Sequence, residues 1–404
     1  MVARYVAGLV LVTGALAAQT PVSRADAVAS AMSQGARLGL ARADTSVAFA
    51  QLLTARALQN PALSATYSKS APPYHLTMDI PFDLPTQRGT RVGSARAARA
   101  AAQYRFAFER AGAALDADTT YTRAVAAREK AQLSRRNAQD SDSLRRMVVA
   151  RRDAGDASDL DVELATVTAG QAANTAAADS LAYLSAVLDL QIVMGLAADR
   201  VAIAPTDSLA LPPAPDVPAD SLGGLPGRAS PLQVAAAEAA LESARLAAKL
   251  QHRSIFSSPS LMAGIEGGDP AEPGVLPTFG LSIPIPILNR NRGPIALAEA
   301  QHARARAELT FAQVQSRTEI ARARRELAIA YSKAERDRLL VAAANRVAAM
   351  SFVAYREGAS SLPNVLEAQR NAREVLAQYI EDVADAWIFA AELRVISLTP
   401  TSIP

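Results

Sequence analysis

The run GDASDLDVELA at residues 155–165 is answered half a chain later by GASSLPNVLEA at residues 358–368. Aligned without a gap, Gly155, Ser158, Asp161, Val162 and Ala165 meet Gly358, Ser361, Asn364, Val365 and Ala368. The echo extends upstream. NPAL at 60–63 is answered by SPSL at 258–261, IPF at 80–82 by IPI at 283–285, and Gly89 by Gly293. The order strand pair, glycine, long helix, Gly-Ser turn, helix is therefore expected twice, and such duplication fixes architecture before any single-residue motif is read.

The segments between these marks change period where that plan requires. Ala25 to Gln59 reads as an amphipathic helix stopped by Asn60 and Pro61. Beyond it Leu63, Ala65 and Tyr67 alternate with Ser64, Thr66 and Ser68; after a turn at Lys69 to Pro73, Leu76, Met78, Ile80, Phe82 and Leu84 face one way while Thr77, Asp79 and Asp83 face the other. Two-residue alternation over this length predicts strands with one apolar and one polar face. A helical pattern then runs from Arg91 to Arg152, about 90 Å of rod at 1.5 Å per residue. Gly155 breaks it, and Ser158 or Asp159 can cap a second helix reaching about Leu196. The second half predicts a helix over 231–253, a strand with Leu261, Ala263 and Ile265 on one side, a turn over 267–277, and a strand with Phe279, Leu281, Ile283, Ile285 and Ile287 on one side. Pro284 and Pro286 fall on the other side of that strand, a placement suited to its end or to a bulge. A long helix follows from Gly293 and Pro294 to about Tyr355, and another from Leu362 and Pro363 to near Leu398.

Five sections result: a signal peptide at 1–18, a first repeat at 19–196, a Pro-, Gly-, Ser- and Asp-rich linker at 197–228, a second repeat at 229–398 and a tail at 399–404. Arg4, the apolar run Val6 to Ala17 and the small residues around Ala18 form a secretory signal too short to remain as a spanning helix, which predicts export.

Composition narrows the function classes. Hydrophobic residues make up 50% of the chain but aromatics only 5%, because alanine supplies the apolar count, and this suits long, closely packed helices. There is no cysteine, hence no disulfide framework and no lipid-anchor cysteine, and the three histidines, His75, His252 and His302, lack ligand spacing. A net charge of +3, with arginines spread along helices, gives no footprint for nucleic acid. No nucleophile elbow, phosphate loop or histidine dyad is present, so neither an enzyme nor a cofactor is expected.

Each half supplies two strands of about the length that crosses a bilayer, and their alternation matches the lipid and lumen sides of a barrel. Four strands cannot close, so several copies must complete it. The same alternation also fits a periplasmic structural or adaptor coiled coil whose hairpins pack on its own helices without a pore.

The motif YREGASS at 355–361 followed by VLEAQR at 365–370, its weaker copy RDAGDAS at 152–158, and IPIPILNRNRG at 283–293 leading to Ala298, Glu299 and Ala300 resemble the TolC-like outer-membrane efflux proteins over essentially the whole mature chain. The resemblance implies a mainly α fold with a small β part: helical hairpins forming a periplasmic tunnel, and four transmembrane strands per protomer making a twelve-stranded barrel in a homotrimer. It implies the passive exit duct of a tripartite pump, in contact with outer-membrane lipid, a periplasmic adaptor and an inner-membrane pump of resistance-nodulation-division type. The 283–293 segment and the short length are most similar to the heavy-metal branch of that family.

By the same resemblance Gly155, Ala157, Ser158, Gly358, Ser360 and Ser361 form the periplasmic tips where an adaptor docks. The acidic ring of the family maps to Asn364 and Glu367, of which Asn364 departs from the pattern; in the first copy Asp161 is acidic and Leu164 is not. Arg145, Arg146, Arg151 and Arg152 are expected to bond across adjacent helices, with Arg151 and Arg152 at the aperture.

Overall fold

The computed structural model describes residues 20–34, 36–196, 203–214, 230–254, 259–272, 274–283, 287 and 289–400. The stretch expected to be a signal peptide, most of the expected linker and the Pro-Ile-Pro core of the 283–293 motif lie outside the described residues. In chain order the elements are β1 (Thr20–Val22), α1 (Arg24–Gln34), α2 (Ala36–Arg56), β2 (Ala62–Tyr67), β3 (Tyr74–Pro81), α3 (Pro85–Asp153), α4 (Asp159–Met194), β4 (Ile203–Pro205), α5 (Leu232–Arg253), β5 (Ser260–Gly267), β6 (Val275–Ser282), α6 (Arg292–Arg356) and α7 (Leu362–Ile396). Helix, strand pair, long helix, turn and helix thus occur twice.

Several boundaries differ from the sequence reading. The first helix is two, α1 and α2. The long helix α3 starts at Pro85, where proline suits a first turn. Strand β6 begins at Val275 rather than Phe279 and ends at Ser282, so Pro277 lies within it and Ile283 outside it. Pro277 is tolerated because β6 is an edge strand. The linker contains β4, which pairs in parallel with β1.

The described residues group into two compact units. One gathers Met1–Gly35, Ala113–Asp216 and Glu326–Ala391. Its largest core joins Val22, Tyr121, Val125, Leu190, Met194 and Ile203. Tyr121 is fully buried there; its hydroxyl donates to Val22 O at 3.0 Å and accepts from the backbone N–H of Thr206 and Asp207 at 3.2 Å, which fastens the short β1–β4 pair to α3. Arg24 lies over the rings of Tyr121 and Trp387, 5.5 and 4.4 Å from their centroids, and pairs with Asp118.

The other unit gathers Ala36–Gly112, Val217–Arg325 and Glu392–Pro404. It holds a four-stranded antiparallel sheet in the order β2-β3-β5-β6. Here α3 and α5 approach closely through small residues: Ser94 and Ser243 each donate a hydroxyl to the other's carbonyl at 3.0 and 3.1 Å.

Candidate functional site: the sheet face and the helical turns

Register sorts the sheet into two faces, because directly opposed residues share a side. On one face the rows read Tyr67–Tyr74–Gly267–Val275, Ala65–Leu76–Ile265–Pro277 and Leu63–Met78–Ala263–Phe279, followed by Ile80–Leu261–Leu281. Apart from the two tyrosine hydroxyls at the hairpin end, every side chain there is apolar, and every large one is exposed, Phe279 to 81%. The other face reads Thr66–His75–Glu266–Leu276, Ser64–Thr77–Gly264–Thr278 and Ala62–Asp79–Met262–Gly280. It is tied by polar contacts between strands: Ser64 Oγ to Thr77 Oγ1 at 2.7 Å, Ser260 Oγ donating to Asp79 at 3.1 Å, and His75 Nδ1 beside Glu266 at 3.4 Å. The apolar side chains near Leu76 and Phe279 are thus the uncovered ones, the reverse of a water-soluble sheet packed on its own helices.

The two turns are built alike. After α3, Gly155 adopts φ +87°, its N–H donates to Arg152 O at 2.9 Å, and Asp156 N–H donates to Arg151 O at 2.8 Å. After α6, Gly358 adopts φ +77°, its N–H donates to Tyr355 O at 3.0 Å, and Ala359 N–H donates to Ala354 O at 2.8 Å. Both are Schellman closures, which place a left-handed residue just past the helix end and so favour glycine. The turn residues from Gly155 to Ser158 and from Gly358 to Ser361 are exposed, save Ala157 and Ser360, which are half-buried. Beneath them one core joins Leu144 and Val148 of α3, Ala165 of α4, Tyr355 of α6, and Leu362 and Val365 of α7.

The expected aperture residues take different roles. Asp161 is occupied locally: Ser158 Oγ accepts from Asp161 N–H at 3.2 Å, while Asp161 Oδ2 accepts from the N–H and hydroxyl of Ser158 at 3.1 and 2.8 Å. This is a capping box. The spacing Ser-x-x-Asp could have revealed it in the sequence. At the matching position of the second turn Asn364 donates Nδ2 to Ser360 Oγ at 3.5 Å. Glu367 is exposed beside Arg370 at 3.7 Å.

The arginines divide. Arg145 and Arg146 do not reach across helices; both bind Asp142 of their own helix, three and four residues back, where a carboxylate lies within side-chain reach. Arg152 binds Asp153 and reaches Asp159 across the turn at 3.8 Å. Arg151 does cross: its Nη1 donates to Tyr355 O at 3.0 Å and its guanidinium lies 4.9 Å from the Tyr355 ring centroid. Burial raises the Tyr355 phenol above its ordinary range, against the pull of Arg151.

A groove of about 540 Å³ opens among α3, α4 and α7, with Leu164, Pro363, Glu367, Arg370 and Arg373 on its walls and Ser134 and Ala172 on its floor. Farther along the α6–α7 seam lies a second cluster that no local sequence pattern announces. Asp382, only 2% exposed, accepts from Lys333 Nζ at 2.6 Å and Gln378 Nε2 at 2.9 Å, and Asp337 stands against it.

Against known proteins, no family model and no curated protein sequence matches the chain. Solved structures do. A membrane protein from Pseudomonas aeruginosa superposes with a TM-score of 0.76 over 93% of each chain at 19% identity. The outer membrane protein VceC from Vibrio cholerae gives 0.76 over 92% of this chain and 95% of its own at 17% identity. The open-state MtrE outer membrane channel of Neisseria gonorrhoeae gives 0.72 over 92% and 88%, also at 17% identity. The fold is that of the TolC-like channels.

Proposed function

We propose that the chain is one protomer of a homotrimeric exit duct in the outer membrane, continuing into the periplasm, through which an inner-membrane pump and its adaptor expel solutes. The observation that carries this reading is the uninterrupted apolar face of the sheet, uncovered by the chain's own helices. From Tyr74 to Phe82 it runs about 26 Å along β3, or about 20 Å of height at a tilt near 40°, which suits a thin outer membrane. Tyr67 and Tyr74, with ring centroids 5.6 Å apart at the hairpin end, sit where an aromatic girdle belongs. The polar face then lines the lumen.

In this reading the adaptor docks on the exposed turns Gly155 to Ser158 and Gly358 to Ser361 and along the nearby groove. Arg151, bound to Tyr355, holds the two hairpins together in the resting aperture. Glu367, repeated in three copies, favours cations there. The cargo is small molecules or metal ions, and its selection lies with the pump upstream.

Reconstitution in a planar bilayer tests the proposal. Stepwise conductance from a detergent-resistant trimer is expected, with a cation preference that falls in Glu367→Gln. A soluble, non-conducting species would return the chain to the pore-free coiled-coil reading.

A further inference from the structure

Basic residues are distributed unequally between the two ends of the sheet. In this antiparallel sheet the first residues of β2 and β5 lie beside the last residues of β3 and β6, since Ala62 pairs with Asp79 and Ser260 pairs with both Pro81 and Ser282. At that end each strand is followed or preceded, within a few residues, by an arginine at a helix end: Arg56 before β2, Arg88 after β3, Arg253 before β5, and Arg290 and Arg292 after β6. Their helices converge. Arg88 donates to Arg56 O at 3.3 Å, Arg253 to Thr86 O at 2.8 Å, and Asn291 to Gln251 O at 2.8 Å, joining the ends of α2, α3, α5 and α6.

The carboxylates at this end are already engaged. Asp83 is held by Arg91 at 2.5 Å, and Glu299 lies against His252 at 2.9 Å. The side chains of Arg56, Arg88, Arg290 and Arg292 are exposed; Arg88 stands near Asp83, which Arg91 already holds, and the other three make no ion pair among the described residues. The hairpin end is the opposite: its two turns carry Lys69 against Asp269 and Glu272.

We propose that this collar of guanidinium groups binds the phosphates of anionic phospholipid headgroups in the leaflet at the helical end of the sheet. The inference rests on the membrane reading of the apolar face. Six to eight residues separate each strand's end from its nearest collar arginine (Ala62 to Arg56, Pro81 to Arg88, Ser260 to Arg253, Ser282 to Arg290). Only these short connections separate the collar from the end of the apolar belt, which sets it on the headgroup side of that belt. Guanidinium forks match phosphate oxygens in geometry and charge, and their aliphatic stems can lie along the apolar edge. Clustered arginines beside an apolar belt are a recognised basis for anionic-lipid selection.

The test uses the full-length protein in phosphatidylcholine vesicles carrying trace spin-labelled phosphatidylglycerol or phosphatidylcholine, with the motionally restricted fraction of each read by electron spin resonance. The unmodified protein is expected to prefer phosphatidylglycerol by about threefold. The double variant Arg290→Gln/Arg292→Gln, whose side chains make no hydrogen bond or ion pair among the described residues, should lose most of that preference while remaining inserted, and Arg290→Lys/Arg292→Lys should keep part of it. Equal restriction of both lipids by the unmodified protein would overturn the collar and leave the membrane reading standing. Restriction of neither lipid would overturn both. Loss of the preference to inorganic phosphate, but not to chloride at matched ionic strength, would reassign the site to a soluble anion. Dissociation of the oligomer in the Gln variant would reassign these arginines to contacts between copies.

Discussion

Replacing Phe279 by arginine separates a membrane barrel from a soluble coiled coil more sharply than any other single change. Phe279 lies in the row Leu63–Met78–Ala263–Phe279, midway between the Tyr67–Tyr74 row and Phe82, and it is 81% exposed. Since its own chain barely covers it, truncation or charge there costs a soluble protein almost nothing; surface changes usually lie within about 0.5 kcal/mol. In lipid, arginine near the midplane of a barrel's outer face costs about 2–4 kcal/mol per copy. Three copies make that roughly 6–12 kcal/mol, comparable to the whole stability of many proteins. Refolding of Phe279→Arg into vesicles should therefore fail or fall severely, read as loss of the heat-modifiable oligomer in unboiled gels. Thr278→Arg supplies the control, since one residue along the strand the side chain points to the polar face, and it should insert normally. If both variants behave alike, or if Phe279→Arg is soluble with an unchanged melting temperature, the apolar face does not touch hydrocarbon.

Other outcomes follow from the helical unit. Reversing charge at Arg151 removes its bond to Tyr355 O and its ring contact, and Arg151→Glu combined with Arg152→Glu should raise single-channel conductance; unaltered conductance would dismiss the clasp. Ser158→Ala deletes half of the capping box, at about 1 kcal/mol, so amide hydrogen exchange at residues 159–162 should quicken roughly fivefold, whereas unchanged protection would show the cap to be idle. The third concerns Asp337 and Asp382, which are faced by Lys333 and Arg336 from α6 and by Asp385 from α7, with Glu381 of α7 and Arg123 of α3 acting on Asp385. Contact with Asp382, then burial, raises the Asp337 carboxyl; for Asp382, burial is outweighed by hydrogen bonds from Asp337, Lys333 and Gln378, and its carboxyl is lowered. A carboxyl raised by folding contributes stability below its unfolded value near ~4 and loses it as pH climbs through the folded value. Asn has no proton to lose, so the melting temperature of Asp337→Asn should exceed that of the parent by a margin that widens from pH 4 to 7; a constant margin contradicts the raised Asp337 carboxyl. Asp382→Asn, which strands Lys333, should destabilise at neutral pH.

Legibility in the sequence followed the length over which each pattern could declare itself. Strand β3 alternates over eight residues, and α3 and α6 run for 69 and 65, so period alone exposed them. The strands β1 and β4 span three residues each, too few for any period, and they exist because the Tyr121 hydroxyl organises the backbone around them. Pro277 concealed the first half of β6, because proline reads as a breaker unless the strand is known to lie at an edge. Both turns were visible through glycine, and the spacing Ser-x-x-Asp marks Asp161 as a cap; a gate acid, by contrast, must answer to other copies, which no local spacing marks. The Lys333–Asp382 bond and the crossing of Arg151 to Tyr355 join residues 49 and 204 positions apart, and nothing in local spacing announces such contacts.

Two features of the sheet constrain its environment jointly. Strands β2 and β6 have no partner on their outer edges among the described residues, so each carries a row of unpaired N–H and C=O groups. Water satisfies such groups, but water also disfavours the continuous apolar face between them. Hydrocarbon accepts that face, yet each unpaired backbone group there costs several kcal/mol. A single copy is unstable in both media: the face excludes it from water and the edges exclude it from lipid. Edge pairing between copies removes the conflict, because joining β6 of one protomer to β2 of the next satisfies the edges while leaving every apolar face outward. On the duct reading, the sheet of four strands is a fraction of a closed barrel, and membrane insertion and assembly become one event, with neither stable before the other.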